Sequence, residues 1–269
     1  MAKPPVSSLI RLNKLIAQSG ACSRREADRL LANGWVQVDG FTPQQVTKPG
    51  FKVPPDTAFS FLPQAQQQLD TSVSLILHKP LGIVSSQPEG PHQTPAIQLL
   101  TADNRWGKQQ RHPNHVANPH RLSKLAVAGR LDAQSSGLLL FTQSGKLAQQ
   151  IIGPDSTIEK EYLVRVQDVS TPASPMLLTQ QESTMDRIHR LMEGVHSYGD
   201  FLQATDIFIQ NDDQLNFTLR GGKYHHIRRM CEQVGWQVQA LKRVRIGSIR
   251  LQKLPLGKWR YLDPSEGAP

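Results

Sequence analysis

The chain has 269 residues, of which 38% are hydrophobic, so it can build the core of one medium-sized domain and of a smaller one. No apolar run approaches the roughly 18 residues of a membrane span, and the start of the chain lacks the apolar stretch of a secretory signal, so we expect a cytoplasmic protein. The two cysteines lie far apart, which argues against a disulfide framework or a thiolate metal site, and the formal net charge of +9 favours a polyanionic partner.

The positive charge is unevenly distributed along the chain. Between Arg220 and Arg260 the sequence has eleven Lys or Arg residues and a single acidic residue, Glu232. A milder excess of cations is present up to Trp35. Such local fields attract phosphate groups, so the distribution favours nucleic acid as the polyanion.

Two short helices and a strand are predicted first. The apolar spacing that begins at Leu9 predicts a helix that ends at Gly20. Ser23 and Glu26 have the spacing of a capping box, which predicts that a second helix begins there. The stretch WVQVDG, which starts at Trp35, predicts a short strand and a turn.

This order of elements, with two arginines on the outward face of the second helix, resembles the S4 type of small RNA-binding module. We assign the module to residues 8–60. The resemblance implies that Lys14, Arg24 and Arg25 contact RNA. In the alternative, the helices form a hairpin whose arginines are only a solvated face.

A change of composition separates this module from the rest of the chain. Residues 61–72 are polar and rich in glutamine, which predicts a linker. Over residues 73–265, short apolar strands alternate with helical stretches, which predicts an α+β domain with a mixed, mainly antiparallel sheet. Residues 87–124 show no sustained period and are expected to form an irregular insertion.

Three histidines of this insertion, His112, His115 and His120, have a side chain that can bind zinc. No cysteine or acidic residue flanks them, and Pro113 and Pro119 favour a loop. We therefore expect no metal site there.

Four short stretches stand out together: KPLG from residue 79, GRLD from residue 129, KEY from residue 160 and GGKYHHIRRM from residue 221. In this order, behind an S4-like module, they resemble the RsuA-like family of RNA pseudouridine synthases. The C-terminal stretch is most similar to the RluF-like branch of that family. The resemblance implies an enzyme that isomerises uridine to pseudouridine in structured RNA without a metal or another cofactor.

The resemblance also implies the catalytic residues. Asp132 is implied to act on the ribose of a flipped uridine, either by attacking the anomeric carbon or by removing a proton from the neighbouring carbon. A buried carboxylate stays ionised beside a cation, and the family pattern assigns this partner to Arg228. Tyr162 matches an active-site tyrosine, an aromatic wall and proton acceptor, with an ordinary core tyrosine as the alternative.

Further cations are expected to contact the RNA. Arg130 is expected to enter the space that the flipped base leaves, or in the alternative only to form a salt bridge at the base of its loop. The other expected RNA contacts are Lys79, Lys160, Lys223 and Arg229.

Two positions depart from the family pattern. His226 replaces a usual glutamine, and Ser144 replaces the aspartate of a frequent Asp-Gly pair. Both changes concern the positioning of the substrate more than the reaction.

The resemblance points to 23S ribosomal RNA of the large subunit as the substrate, with 16S ribosomal RNA or transfer RNA as alternatives. We expect a monomer. Two other classes of function stay open at this point: a non-catalytic RNA-binding or ribosome-assembly factor, and an RNA glycosidase, which would need a second acid.

Overall fold

The structure is a computed structural model that describes residues 9–86, 88, 90–107, 115–169, 182–263 and 266. Within these residues, no helix is long and apolar enough to cross a membrane. The described chain forms a small N-terminal module and a larger domain built on one extended sheet.

The N-terminal module combines short helices with two small antiparallel strand pairs. Strand β1 pairs with β3, and β2 pairs with β4. The predicted capping box is confirmed, because the Ser23 side chain accepts from the Glu26 N–H and the Glu26 carboxylate accepts from the Ser23 N–H. The elements are β1 (Ile10–Arg11), α1 (Leu12–Gln18), α2 (Arg24–Ala32), β2 (Val36–Val38), α3 (Pro43–Val46), β3 (Lys52–Val53), β4 (Phe59–Phe61) and α4 (Pro63–Asp70).

The polar stretch at residues 61–72, expected to be a linker, instead contains helix α4. Pro63 occupies the first turn, where its missing N–H costs nothing. Ala65 is fully buried in the core of the N-terminal module, and Leu69, four residues later, packs against the same core. Two apolar residues with helical spacing therefore fasten the segment to the module despite its glutamines.

The larger domain is built on a nine-stranded sheet, and the predicted α+β fold with a mainly antiparallel sheet is confirmed. The elements are β5 (Ser74–Lys79), β6 (Ala126–Val127), β7 (Ser136–Thr142), α5 (Gly145–Ile152), β8 (Glu159–Asp168), α6 (Thr184–Glu193), β9 (Val195–Ser197), β10 (Asp200–Leu202), β11 (Asp206–Asn211), β12 (Gln214–Arg220), α7 (His226–Glu232), β13 (Trp236–Ile246), β14 (Ile249–Arg250) and β15 (Trp259–Tyr261). The main strand order of the sheet is β11, β12, β8, β13, β7, β5, β15, and among these neighbours the parallel pair is β13 with β7.

The described part of the insertion at 87–124 has no helix longer than a short 3-10 turn, yet it packs against the sheet. Leu100 is fully buried, and the Trp259 indole N–H donates to the Thr101 carbonyl at 2.7 Å. The rings of two histidines take part in this packing: His115 stacks on Tyr261, and His120 is hydrogen-bonded to the Leu100 carbonyl. The third, at position 112, lies outside the described residues.

The two parts of the molecule meet where α2 contacts α5. The buried Glu26 carboxylate accepts from the N–H of Ser23 at 2.7 Å and from the N–H of Gly145 at 2.9 Å. A Cβ on Gly145 would lie only 2.5 Å from the Ser23 Cβ, so glycine is required for this approach. One carboxylate thus joins the first turns of two helices from the two parts of the chain.

Candidate active site

Asp132 lies on the loop between β6 and β7, and hydrogen bonds before and after Asp132 fix the backbone of this loop. The buried Leu131 is fixed through its backbone, because its N–H donates to the Ser85 hydroxyl at 2.8 Å and its carbonyl accepts from the same hydroxyl. The Asp132 carbonyl accepts from the Ser135 N–H at 3.0 Å. The Asp132 side chain keeps 31% exposure. The loop therefore presents its carboxylate from a fixed backbone.

Hydrogen bonds from the buried Arg243 side chain connect the same loop to the sheet. This residue of β13 is 1% exposed, and its guanidinium donates to the carbonyls of Gly129 at 2.8 Å, Arg130 at 3.2 Å and Leu138 at 2.9 Å. The planar fork of an arginine can hold several carbonyls at once, which a lysine cannot do in the same geometry. Arg243 is thus the buried cation beneath the loop that carries Asp132.

Arg243 was not among the site residues predicted from the sequence, although its position in the strand pattern is a signal for it. Leu241 and Arg243 are two residues apart on one strand, and both are buried. An arginine at a strand position whose side chain points to the buried face of the sheet needs hydrogen-bond partners in the core. The close parallel pairing of β13 with Gly137 brings it to the loop.

A cleft of about 840 Å³ opens above this loop. Residues from β8, from the loop and from the start of α7 surround it, although they are far apart in the sequence. The residues singled out from the sequence that line it are Asp132, Tyr162, Arg228, Arg130, Lys160 and Lys223. The carboxylate and the aromatic ring of the predicted site therefore face one concavity.

Tyr162 lies in the centre of the sheet and at the wall of this cleft. It is 8% exposed, and its strand neighbours are Phe217 on β12 and Arg243 on β13. The ring is thus part of the core and of the cleft surface at the same time. The two interpretations of this tyrosine, core residue and aromatic wall, are compatible.

The expected ion pair between Arg228 and Asp132 is not formed within 4 Å in the described structure. The Arg228 guanidinium instead donates to the carbonyls of Gln134 at 2.9 Å and Val238 at 3.2 Å. Within 4 Å of the carboxylate lies an imidazole instead, because His225 Nε2 is 3.8 Å from Asp132 Oδ1. Arg228 therefore links the second half of the loop to β13, because one carbonyl that it binds lies in the loop and the other lies on the strand.

Two of the four lysines expected to contact RNA, Lys79 and Lys160, are buried. Lys79 is fully buried and donates to the carbonyls of Pro80 at 2.8 Å and Ile83 at 2.7 Å, so its expected surface contact with RNA is not supported. Burial lowers the pKa of Lys79 to about 8, and the nearby Asp132 charge acts against this shift. Lys160 is 4% exposed, lines the cleft and donates to the Ile151 carbonyl at 3.2 Å. Burial, assisted by the positive charge of Arg243, lowers its pKa to about 8 as well.

The predicted phosphate contact Arg229 is also engaged within the protein. Its side chain is 11% exposed, bridges to Asp200 at 2.9 Å and donates to the Ser197 carbonyl. Arg229 therefore holds the hairpin of β9 and β10 against α7, and it is not a free surface cation. Lys223 bridges to Asp200 at 2.9 Å but keeps 45% of its side chain exposed.

The remaining expected RNA contacts have the exposure that such a role requires. Arg130 is exposed at the edge of the cleft. On the N-terminal module, Arg24 and Arg25 are exposed and Lys14 is half-buried.

The two departures from the family pattern have local explanations. Ser144 is the N-cap of α5, and its hydroxyl accepts from the Leu147 N–H at 3.2 Å. His226 lies in the wall of the cleft, where burial lowers its pKa to about 4, so the ring is neutral at physiological pH. A neutral imidazole at this position resembles the amide that it replaces in carrying no charge.

The chain is similar to known proteins along most of its length. A family model for RNA pseudouridylate synthases matches residues 73–233, and a model for the S4 domain matches residues 10–58. The dual-specificity RNA pseudouridine synthase RluF of Escherichia coli (strain K12) is 32% identical over 261 residues, which are 96% of this chain and 77% of that protein. The ribosomal large subunit pseudouridine synthase B of Vibrio cholerae is 31% identical over 94% of this chain and 71% of its own length.

A solved structure of a pseudouridylate synthase has a similar fold. Its TM-score is 0.58 at 24% sequence identity, and the match covers 96% of this chain and 97% of that chain. The similarity extends over both the N-terminal module and the sheet domain.

Proposed function

The chain belongs to the RNA pseudouridylate synthase family, and we propose that it isomerises uridine to pseudouridine in ribosomal RNA of the large subunit, with Asp132 as the acting carboxylate. The observation that carries this assignment is the shared cleft of Asp132 and Tyr162 above a loop clamped by Arg243. A non-catalytic RNA-binding factor would have no physical need for a fixed carboxylate at the bottom of an open cleft.

The reaction exchanges one bond of the uridine for another. The bond between the ribose anomeric carbon and N1 of uracil breaks, the base turns within the cleft, and C5 bonds to the same sugar carbon. The proton on C5 leaves to solvent, and N1 gains a proton. Asp132 starts the sequence on the ribose, by attack at the anomeric carbon or by removal of the neighbouring proton. Atoms and charge balance without a redox partner.

The residues around the carboxylate have separate tasks. In this proposal Tyr162, which lines the cleft, packs against the face of the uracil while it turns and accepts the C5 proton. Arg243 and Arg228 are positioning residues, because they hold the backbone of the loop at its two ends. The proposed role of Arg130, which is exposed, is to fill the gap that the flipped base leaves in the RNA.

The substrate assignment rests on charge and on relatives. The relatives are a synthase of the large ribosomal subunit and a dual-specificity RNA synthase. We therefore propose 23S ribosomal RNA as the main substrate, with transfer RNA as a second substrate. The S4 domain supplies RNA contacts through Arg24 and Arg25. We further propose that the protein acts as a monomer in the cytoplasm.

Asp132→Asn tests the catalytic assignment, because it removes the negative charge and keeps the shape of the side chain. With RNA tritiated at C5 of uracil, we expect the variant to bind as tightly as the wild type and to release no label above background. Asp213→Asn is the matched control, since that carboxylate is 54% exposed in a surface ion pair with Arg165. Normal tritium release by Asp132→Asn would refute the role of the carboxylate.

A further inference from the structure

A second groove of about 890 Å³ adjoins the active-site cleft. The two concavities share three wall residues, Tyr224, His225 and Arg228. The groove therefore lies directly beside the cleft that holds Asp132, within reach of a nucleotide that neighbours the one in the cleft. The other residues that line the groove, among them Tyr198 and Trp236, have no part in the proposed reaction.

Two exposed tyrosine rings stand at this groove. Tyr198 is 84% exposed and Tyr224 is 69% exposed, and both line it. Large aromatic side chains favour burial, so two such rings held in water beside one groove indicate a surface that is covered by a partner. The Tyr224 ring stacks on His225 with centroids 3.9 Å apart, which fixes the direction in which it faces.

Tyr198 is held in a costly backbone conformation. It is the first residue of the two-residue turn between β9 and β10, with a φ of +48°, a position where asparagine or glycine is favoured. A bulky residue in the left-handed region is strained, and such strain persists where the surroundings enforce it. The turn thus places an aromatic ring in solvent at a cost in stability.

The support beneath this ring is built from charged side chains. The Arg229 guanidinium carbon lies 5.4 Å from the Tyr198 ring centroid, and the same arginine bridges to Asp200 at 2.9 Å. Lys223 bridges to the other oxygen of Asp200. The hairpin is therefore fixed to α7, and the groove carries Arg228 and Arg229 with one acidic residue, Glu232, in its wall.

We propose that this groove binds an unpaired RNA nucleotide next to the target uridine, with its base stacked on Tyr198 or Tyr224. The inference rests on the proposed function, since it places a neighbour of the nucleotide that Asp132 acts on. Aromatic faces beside cations are the combination that binds single-stranded RNA with little base preference. The groove thus helps to hold the RNA open while the uridine is flipped.

The test compares leucine with phenylalanine at both positions. Tyr198→Leu and Tyr224→Leu remove the aromatic face, whereas Tyr198→Phe and Tyr224→Phe keep it. Phe208→Leu is the matched control, because Phe208 is 49% exposed on β11 and lines neither concavity. The Kd for an unmodified 23S ribosomal RNA transcript is measured by filter binding, and unchanged thermal unfolding confirms that each variant is folded.

Because the base stacks on one of the two rings, we expect at least one leucine variant to weaken binding by about ten- to a hundredfold, and the phenylalanine and control variants to bind within about twofold of the wild type. As a second measurement that needs no variant, ultraviolet crosslinking of the wild-type complex should attach RNA to Tyr198 or Tyr224. Binding that is unaffected by leucine, equal losses with leucine and phenylalanine, or crosslinks only elsewhere would overturn the proposal. Tight RNA binding without tritium release from the wild type would instead refute the proposed reaction and leave the stacking measurement valid.

Discussion

Replacing Gly145 by alanine tests how firmly the N-terminal module is held against the sheet domain. Gly145 is the first residue of α5, and its N–H donates to the Glu26 carboxylate of α2 at 2.9 Å. A Cβ at this position would lie 2.5 Å from the Ser23 Cβ. Helix α2 must therefore move away, and the hydrogen bond to Glu26 must break.

Two effects of opposite sign act in this variant. Alanine in place of glycine stabilises a helix by about 0.5–1 kcal/mol. A hydrogen bond to a charged group contributes about 1.5–3 kcal/mol. Because Glu26 is buried, a water molecule is a poor substitute for the lost hydrogen bond to its carboxylate. The loss is larger, so we expect the free energy of unfolding to fall by about 1–2 kcal/mol. For a chain of this size the Tm should drop by roughly 2–8 °C.

Differential scanning calorimetry measures this change. Gly90→Ala is the matched control, because a Cβ there meets no heavy atom within 4 Å. In a Ser23→Gly background, which removes the nearest obstacle at a cost of about a few tenths of a kcal/mol, Gly145→Ala should cost less. A Tm for Gly145→Ala at or above that of the wild type would refute the contact, because the helix propensity of alanine would then act alone.

Two further predictions concern the site. Arg243→Lys removes the planar guanidinium that binds the Gly129 and Arg130 carbonyls, so we expect kcat to fall by about a hundredfold as the Asp132 carboxylate shifts. Tritium release at saturating RNA measures kcat, and an unchanged value would contradict the positioning role. Burial lowers the pKa of His226 from 6.5 to about 4, so between pH 7 and 5 the unfolded chain takes up a proton that the folded chain does not. The wild type loses this stability as the pH falls, whereas His226→Gln does not, so the free energy of unfolding of the variant minus that of the wild type should be roughly 1–2 kcal/mol larger at pH 5 than at pH 7. Urea unfolding measures this difference, and the same pH dependence in both proteins would show that the ring titrates normally.

Patterns over a few residues in the sequence predicted much of the fold and part of the site. The capping box of Ser23 and Glu26 and the mainly antiparallel sheet are confirmed. The ordered stretches around Asp132 and Tyr162 indicated the family before any contact was known, and both residues line one cleft. The capping box and the individual strands depend on short-range hydrogen bonds and on the apolar period of a strand or helix, which neighbouring residues encode. Asp132 and Tyr162 were implied by the resemblance of the ordered stretches to the family.

The partners of the buried cations could not be obtained in this way. Arg228 was predicted to pair with Asp132, whereas in the structure Arg243 lies beneath the loop and Arg228 donates to the carbonyls of Gln134 and Val238. Lys79 was predicted to contact RNA, whereas its side chain is buried. A guanidinium bonds to whichever carbonyls strand pairing brings within reach, and Arg243 meets Arg130 across 113 residues of chain.

The sequence by itself therefore indicated which residue types the proposed site contains, because the ordered stretches resemble those of the family. Only the tertiary structure decided which arginine holds the loop, that residues 63–70 form a helix, and that Glu26 joins the two parts of the molecule. Each of these depends on atoms brought together by packing between segments distant in the chain, and the energy of such contacts is not written in any local pattern.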